Sequence, residues 1–316
     1  MKFKVFFIKR KHIYYSVLIL LVFIFFIIFT NLKSKDISSP TFSINSDKKT
    51  YKADLTGDGN NDILYITTLK GKYYLQVNTD KNSTYIQPNK NINTLGTYTP
   101  YWSARVKLLD INRDRIPEIF IQSSEKNKPI QHGFLYNNGK FQTIFSSHNN
   151  ILGFIDCSNN KTPKLISGNI SKDGFQFYNY ILIQNELKKY TYNYEEKFAG
   201  KNIILSFINL ITSGVNSSSI IDKNIFSNDV DKSSLYTIDA LINSDTIYTF
   251  QDAQFIDIKS DNNGNPSQMQ WILNFRGISN NNPSSIKNYT FKLLLKSDKS
   301  SNDSYYYKIF SISQIQ

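Results

Sequence analysis

The nine residues Asp54-Leu55-Thr56-Gly57-Asp58-Gly59-Asn60-Asn61-Asp62 constrain this chain more than any other stretch. Oxygen-bearing side chains stand at the first, third, fifth and ninth places, and glycines at the fourth and sixth. The apolar run Ile63-Leu64-Tyr65-Ile66 follows directly, so the segment is a turn joining strands. Glycine supplies the positive φ that such a turn needs. A hard cation such as Ca²⁺ takes about six to eight oxygens, and alternate residues of a tight loop can converge on one. The spacing therefore predicts a calcium clasp through Asp54, Thr56, Asp58 and Asp62. The plainer alternative is a turn that needs no metal, which Asp, Asn and Gly form readily.

The same order of elements recurs. Asp110-Ile111-Asn112-Arg113-Asp114-Arg115-Ile116-Pro117-Glu118 lies between Val106-Lys107-Leu108-Leu109 and Ile119-Phe120-Ile121. Asp156-Cys157-Ser158-Asn159-Asn160-Lys161-Thr162-Pro163-Lys164 lies between Leu152-Gly153-Phe154-Ile155 and Leu165-Ile166. The loops start roughly 50 residues apart, the length of one four-stranded propeller blade. Matching prolines at Pro117 and Pro163 and aromatic strands after each loop support a repeat over residues 50–198.

These loops resemble the FG-GAP or VCBS-type repeats of integrin-like propellers and many bacterial surface proteins, whose pattern is Asp-x-Asp/Asn-x-Asp-Gly-x-x-Asp. The resemblance implies calcium, structural in role, on Asp54, Thr56, Asp58, Asn60 and Asp62, with Asn60 adding its carbonyl. It implies a second site on Asp110, Asn112, Asp114 and Glu118, where Arg113 and Arg115 weaken the attraction for a cation. The third loop keeps Asp156, but Lys164 replaces the last carboxylate and no tightly bound metal is expected. Closed propellers need roughly four to eight blades. Three visible repeats must therefore be capped, stacked openly or completed from elsewhere.

The N-terminal part predicts a membrane anchor. Ile13 to Thr30 carries no charged residue, and as a helix it would span about 27 Å at roughly 1.5 Å per residue. Lys2, Lys4, Lys9, Arg10 and Lys11 precede it, so residues 1–12 are expected in the cytoplasm and the bulk of the chain outside it. Residues 31–49 read as a polar tether. The net charge of +12 lacks the clustering that nucleic acid would require, which leaves an anionic cell-wall polymer or a protein as the expected partner. Cys157 is the single cysteine, so no internal disulfide forms.

After residue 199 the period changes. Ile204, Phe207, Ile208 and Ile211 fall on one helical face, and Leu235, Ile238, Leu241 and Ile242 mark a second helix capped by Ser233 or Ser234. Strands follow at Ala253–Ile258, Met269–Phe275, Tyr289–Leu295 and Tyr305–Ile312. Residues 199–316 thus read as a small α+β domain. Its order of elements resembles the NTF2-like, cone-shaped families. The expected fold is mainly β: a transmembrane helix, about three propeller-type repeats, then this α+β domain. Asp257 and Asp261 offer a rival reading as a decayed fourth loop.

No Gly-x-Ser-x-Gly, His-Glu-x-x-His or phosphate-loop motif is present. His132 and His148 fall in expected loops, and Tyr98-Thr99-Pro100-Tyr101-Trp102 is a candidate contact patch for carbohydrate or peptide. The reading is therefore a membrane-anchored, extracytoplasmic binding or structural protein without catalysis. The alternative is an envelope enzyme or small-ligand binder whose pocket lies in the C-terminal part.

Overall fold

The structure, a computed structural model, describes Arg10, Lys11, Tyr14, Leu20 and residues 49–171, 174–191, 198–213, 223–298 and 306–315. Residues Met1–Ile44 and Asn45–Gln316 form two separate units, and the architecture below belongs to the second. Strands β1 (Lys49–Ala53), β2 (Asp62–Leu69), β3 (Lys72–Asn78) and β4 (Ser83–Ile86) form one antiparallel sheet in chain order. Strands β5 (Arg105–Leu109), β6 (Glu118–Glu125), β7 (Lys128–Asn137) and β8 (Lys140–Ser147) form a second. Alternation dictates which faces are buried. Leu64 and Ile66 of β2 and Leu75 and Val77 of β3 face a core shared with Ile119, Ile121 and Phe134 of the second sheet. The opposite side of the second sheet sends Phe120 and Phe145 against Leu152, Phe154 and Leu165 of the next unit.

That third unit departs from the repeat. Strands β9 (Ile151–Ile155), β10 (Lys164–Ser171), β11 (Gly174–Ile183) and β12 (Glu186–Tyr190) meander as expected. The free edge of β9 then pairs in parallel with β13 (Thr246–Ser260), with Ile151 opposite Ala253 and Phe154 opposite Ile256. Antiparallel β14 (Pro266–Ser279), β15 (Ile286–Ser297) and β16 (Tyr307–Ile315) continue it into one eight-stranded sheet, order β12-β11-β10-β9-β13-β14-β15-β16. The parallel joint requires a long crossover, and residues 156–245 supply it. Gly153 sits where Phe255 crosses: a Cβ there would lie 2.1 Å from the Phe255 ring, so only glycine lets the two strands pair at this point.

Helices α1 (Lys201–Ser213) and α2 (Lys232–Ile242) cover this sheet. The face formed by Ile204, Phe207, Ile208 and Ile211 is buried as the period requires. It packs with Ile151 and Ile166 of the third unit and with Trp271, Phe275 and Phe291 of β14 and β15. Each such side chain contributes about 1.5–3 kcal/mol relative to exposure. In α2 the buried stripe is Ile238, Leu241 and Ile242, whereas Leu235 is largely exposed. The helix is capped by Asp231, which accepts the Ser233 N–H, and not by Ser233 or Ser234.

These observations correct the expected fold class. The chain is mainly β, but its described residues form two four-stranded sheets and one eight-stranded sheet, which is not a set of propeller blades followed by a separate NTF2-like α+β domain. The hydrophobic core under the helices draws on the third repeat and on the C-terminal strands together. The single-pass membrane anchor, and the cell-membrane localisation drawn from it, are not upheld either. No helix among the described residues is long and apolar enough to cross a membrane. Most of Ile13 to Thr30 lies outside the described residues.

Candidate functional site

The Asp-rich loops are closed by their own backbone. Asp54 Oδ1 accepts the N–H groups of Gly57 at 2.6 Å and Asp58 at 3.2 Å, while Oδ2 accepts that of Gly59 at 2.9 Å. Asp58 accepts the Asn60 N–H. Asp62, almost fully buried, accepts the Leu55 N–H at 2.8 Å and the Thr56 hydroxyl at 3.1 Å. The second loop repeats the pattern. Asp110 accepts from Arg113 and Arg115, Asn112 from Asp114, Asp114 from Ile116, and Glu118 from Ile111 at 2.8 Å. Arg113 and Arg115 take φ values of +64° and +76°, matching +75° and +87° at Gly57 and Gly59. Two arginines thus hold the left-handed backbone that glycine adopts without strain.

The calcium-binding character expected of these loops is not upheld among the described residues. Calcium takes oxygens turned toward one centre; here both carboxylate oxygens of Asp54, Asp110 and Asp114, and one each of Asp58 and Asp62, accept donors of their own turns. Among the described residues no group of three or more His, Cys, Asp or Glu side chains is placed to hold a metal ion. The buried Glu118 carboxyl is pushed up to about 8, by its removal from water first and by Asp114 and Asp110 second.

The third loop is completed from another part of the chain. Where Asp62 and Glu118 cap the second N–H of their loops, Lys164 cannot accept, and it pairs instead with Asp156. Asp257 of β13 takes over: it accepts the N–H groups of Cys157 and Ser158, each at 3.0 Å, and the Ser158 hydroxyl. The guanidinium of Arg113 donates to the carbonyls of Asp156 (3.3 Å), Asn159 (2.6 Å) and Lys161 (2.7 Å), so the second loop clamps the third. Asp257 is therefore the missing cap of the third loop. Asp261 caps the β13–β14 hairpin by accepting from Asn263 and Asn265. The signal for Asp257 was a lone carboxylate in the apolar run Phe255-Ile256-Asp257-Ile258, opposite a loop that lacks an acceptor.

The other singled-out residues are structural. Trp102 is buried and donates to Asp252 of β13 at 2.7 Å, and Arg105 pairs with the same carboxylate. It is an anchor between the second sheet and β13, and not part of an exposed patch. His132 lies in β7 and is fully buried, with ring nitrogens 2.8 Å from the Ser146 hydroxyl and the Thr94 carbonyl. Burial holds it down at about 4, which makes it a poor base at neutral pH. Burial likewise pushes the Cys157 thiol up, so it does not ionise.

A large concavity lies where the third loop, β10 and β11 face β14 and β16. It encloses about 640 Å³. Phe198, Met269, Tyr306 and Tyr307 give it apolar and aromatic walls. Its polar lining residues are Asp156, Lys161 and Lys164 of the third loop, together with Asn179 and Asn265. The walls are fixed from behind. Tyr307 donates its hydroxyl to the Pro266 carbonyl at 2.6 Å, and the Trp271 indole N–H donates to the Ala199 carbonyl at 2.9 Å.

Compared with models of known protein families the chain matches none, and no curated protein is similar to it. A solved structure, that of TolB from Acinetobacter baumannii, is similar over 83% of this chain and 51% of that chain, with 12% identity and a TM-score of 0.26. This chain spans about half the length of that protein, and a likeness at this level assigns neither family nor activity.

Proposed function

We propose that the chain is a binding protein for a small amphipathic molecule, held in the cavity between the third loop and β14–β16. The observation that carries this reading is the cavity itself. Its volume of about 640 Å³ falls in the range of roughly 300–1,000 Å³ of small-molecule sites. A mainly apolar wall with a few placed polar groups is the usual character of such sites. Among the described residues of the lining the one charge pair is Asp156–Lys164, two groups that neutralise one another rather than an acid and base poised for proton transfer, and this favours binding over catalysis. We read the loops at Asp54 and Asp110 as FG-GAP or VCBS-type repeat joints that work as hydrogen-bonded turns, on the strength of their shared bonding pattern.

The test is a titration of the full chain with N-phenyl-1-naphthylamine, a neutral fluorophore that brightens in apolar cavities. Saturable binding is expected, and Asn265→Trp at the rim should abolish it while leaving the circular dichroism spectrum unchanged. Unaltered affinity in a folded Asn265→Trp chain would overturn the assignment of the site.

A further inference from the structure

The cavity has a charge asymmetry that a merely apolar hole lacks. Asp156 is engaged twice, by Lys164 and by the Asn159 amide. Asp257 accepts three donors from Cys157 and Ser158. Asp261 accepts two backbone N–H groups of its hairpin. Lys161 differs: its ammonium makes no ion pair among the described residues and is 3.2 Å from the Gly264 carbonyl. Its backbone is nonetheless held. The Lys161 N–H donates to Asn159, and its carbonyl accepts from Arg113. A cation is thus presented from a fixed backbone to a cavity that Phe198, Met269 and Tyr306 also line.

We infer that the cavity selects amphipathic anions, a carboxylate or sulfonate on an aromatic or aliphatic body, and that Lys161 is the residue that reads the charge. This rests on the cavity-binding reading above. Lys161 stands at the mouth, where water screens it, so its contribution is a preference and the apolar wall holds the body of the ligand. Arg113 acts on the ligand only through Lys161, as a positioning residue, by fixing the loop from which Lys161 projects.

Two fluorophores sharing one body test this on the full chain: 8-anilinonaphthalene-1-sulfonate and neutral N-phenyl-1-naphthylamine. The sulfonate should bind about five-fold more tightly. Lys161→Ala should bring the two affinities together by weakening the sulfonate alone, and Lys161→Arg should restore the difference. Arg113→Ala should reduce the preference in part without changing the affinity for the neutral probe. If the neutral probe binds but the sulfonate shows no advantage, or an advantage that Lys161→Ala leaves intact, the anion inference falls and the cavity reading stands. If neither probe binds, the cavity reading itself falls and the inference with it.

Discussion

Removing the Asp257 carboxylate tests whether the third loop is closed by β13. Asp257 is 2% exposed, and its oxygens accept two backbone N–H groups and one hydroxyl. In Asp257→Ala the Cys157 and Ser158 N–H groups lose their acceptor in a site that water reaches poorly. Each hydrogen bond to a charged acceptor is worth about 1.5–3 kcal/mol, offset by the relief of desolvating the carboxylate. The expected net loss is about 3–5 kcal/mol, a large share of the roughly 5–15 kcal/mol by which domains are stable. Asp257→Asn keeps one acceptor and should lose about half as much. Urea unfolding of the full chain, followed by tryptophan fluorescence, measures it. Trp271 reports locally, being stacked on Phe255 with ring centroids 4.3 Å apart. At a slope of about 2–3 kcal/mol per molar urea, the Ala midpoint should fall by about 1–2 M. A loss below about 0.5 kcal/mol, typical of a surface substitution, would refute the argument that this carboxylate replaces the missing cap at Lys164.

The buried imidazole of His132 sets a pH dependence. Its folded value of about 4 lies below the ordinary 6.5, so between those limits the unfolded chain binds more protons and stability falls as the pH is lowered. The loss should total about 3 kcal/mol from pH 6.5 to 4, and a difference between wild type and His132→Gln that stays flat over that window in pH-dependent urea titrations would refute it. At Gly57, φ is +75° and an added Cβ would lie 2.4 Å from the Ile116 side chain. Gly57→Ala should therefore destabilise by about 1–3 kcal/mol, and Ile116→Ala in the same chain should recover the steric part. Additive losses in that double mutant would show that the two loops do not press on each other.

Local pattern made much of this molecule legible. The alternation after Asp62 placed β2, whereas β6 follows from the short apolar run Ile119-Phe120-Ile121 after Glu118, a strand buried on both faces. The helical face at Ile204, Phe207, Ile208 and Ile211 was equally plain. The loops at Asp54 and Asp110 lie where the sequence places strand joints, and their carboxylate oxygens accept N–H groups of their own turns. Side-chain spacing alone does not tell whether a carboxylate faces a central cation or the N–H groups of its own turn. The parallel pairing of β9 with β13 was invisible because its partners lie about 100 residues apart and parallel strands carry no turn signal between them. Trp102 was misjudged for a related reason: its neighbours Tyr98 and Tyr101 suggested a patch, while its real partner, Asp252, lies in a distant strand. The cavity combines residues from three regions of the chain, so no single motif announces it.

The joint between β9 and β13 also bears on how the chain is made. As it leaves the ribosome, the first two sheets find all their strands within consecutive stretches, and each can pair as soon as it emerges. The third sheet is different. Until Thr246–Ser260 has been synthesised, β9 has a bare apolar edge and the loop after it lacks its carboxylate cap. An unpaired edge of that kind invites pairing with other chains. A product truncated before Thr246 would carry two finished sheets and one sticky unfinished one, making the last quarter of the chain the step that decides between a monomer and an aggregate.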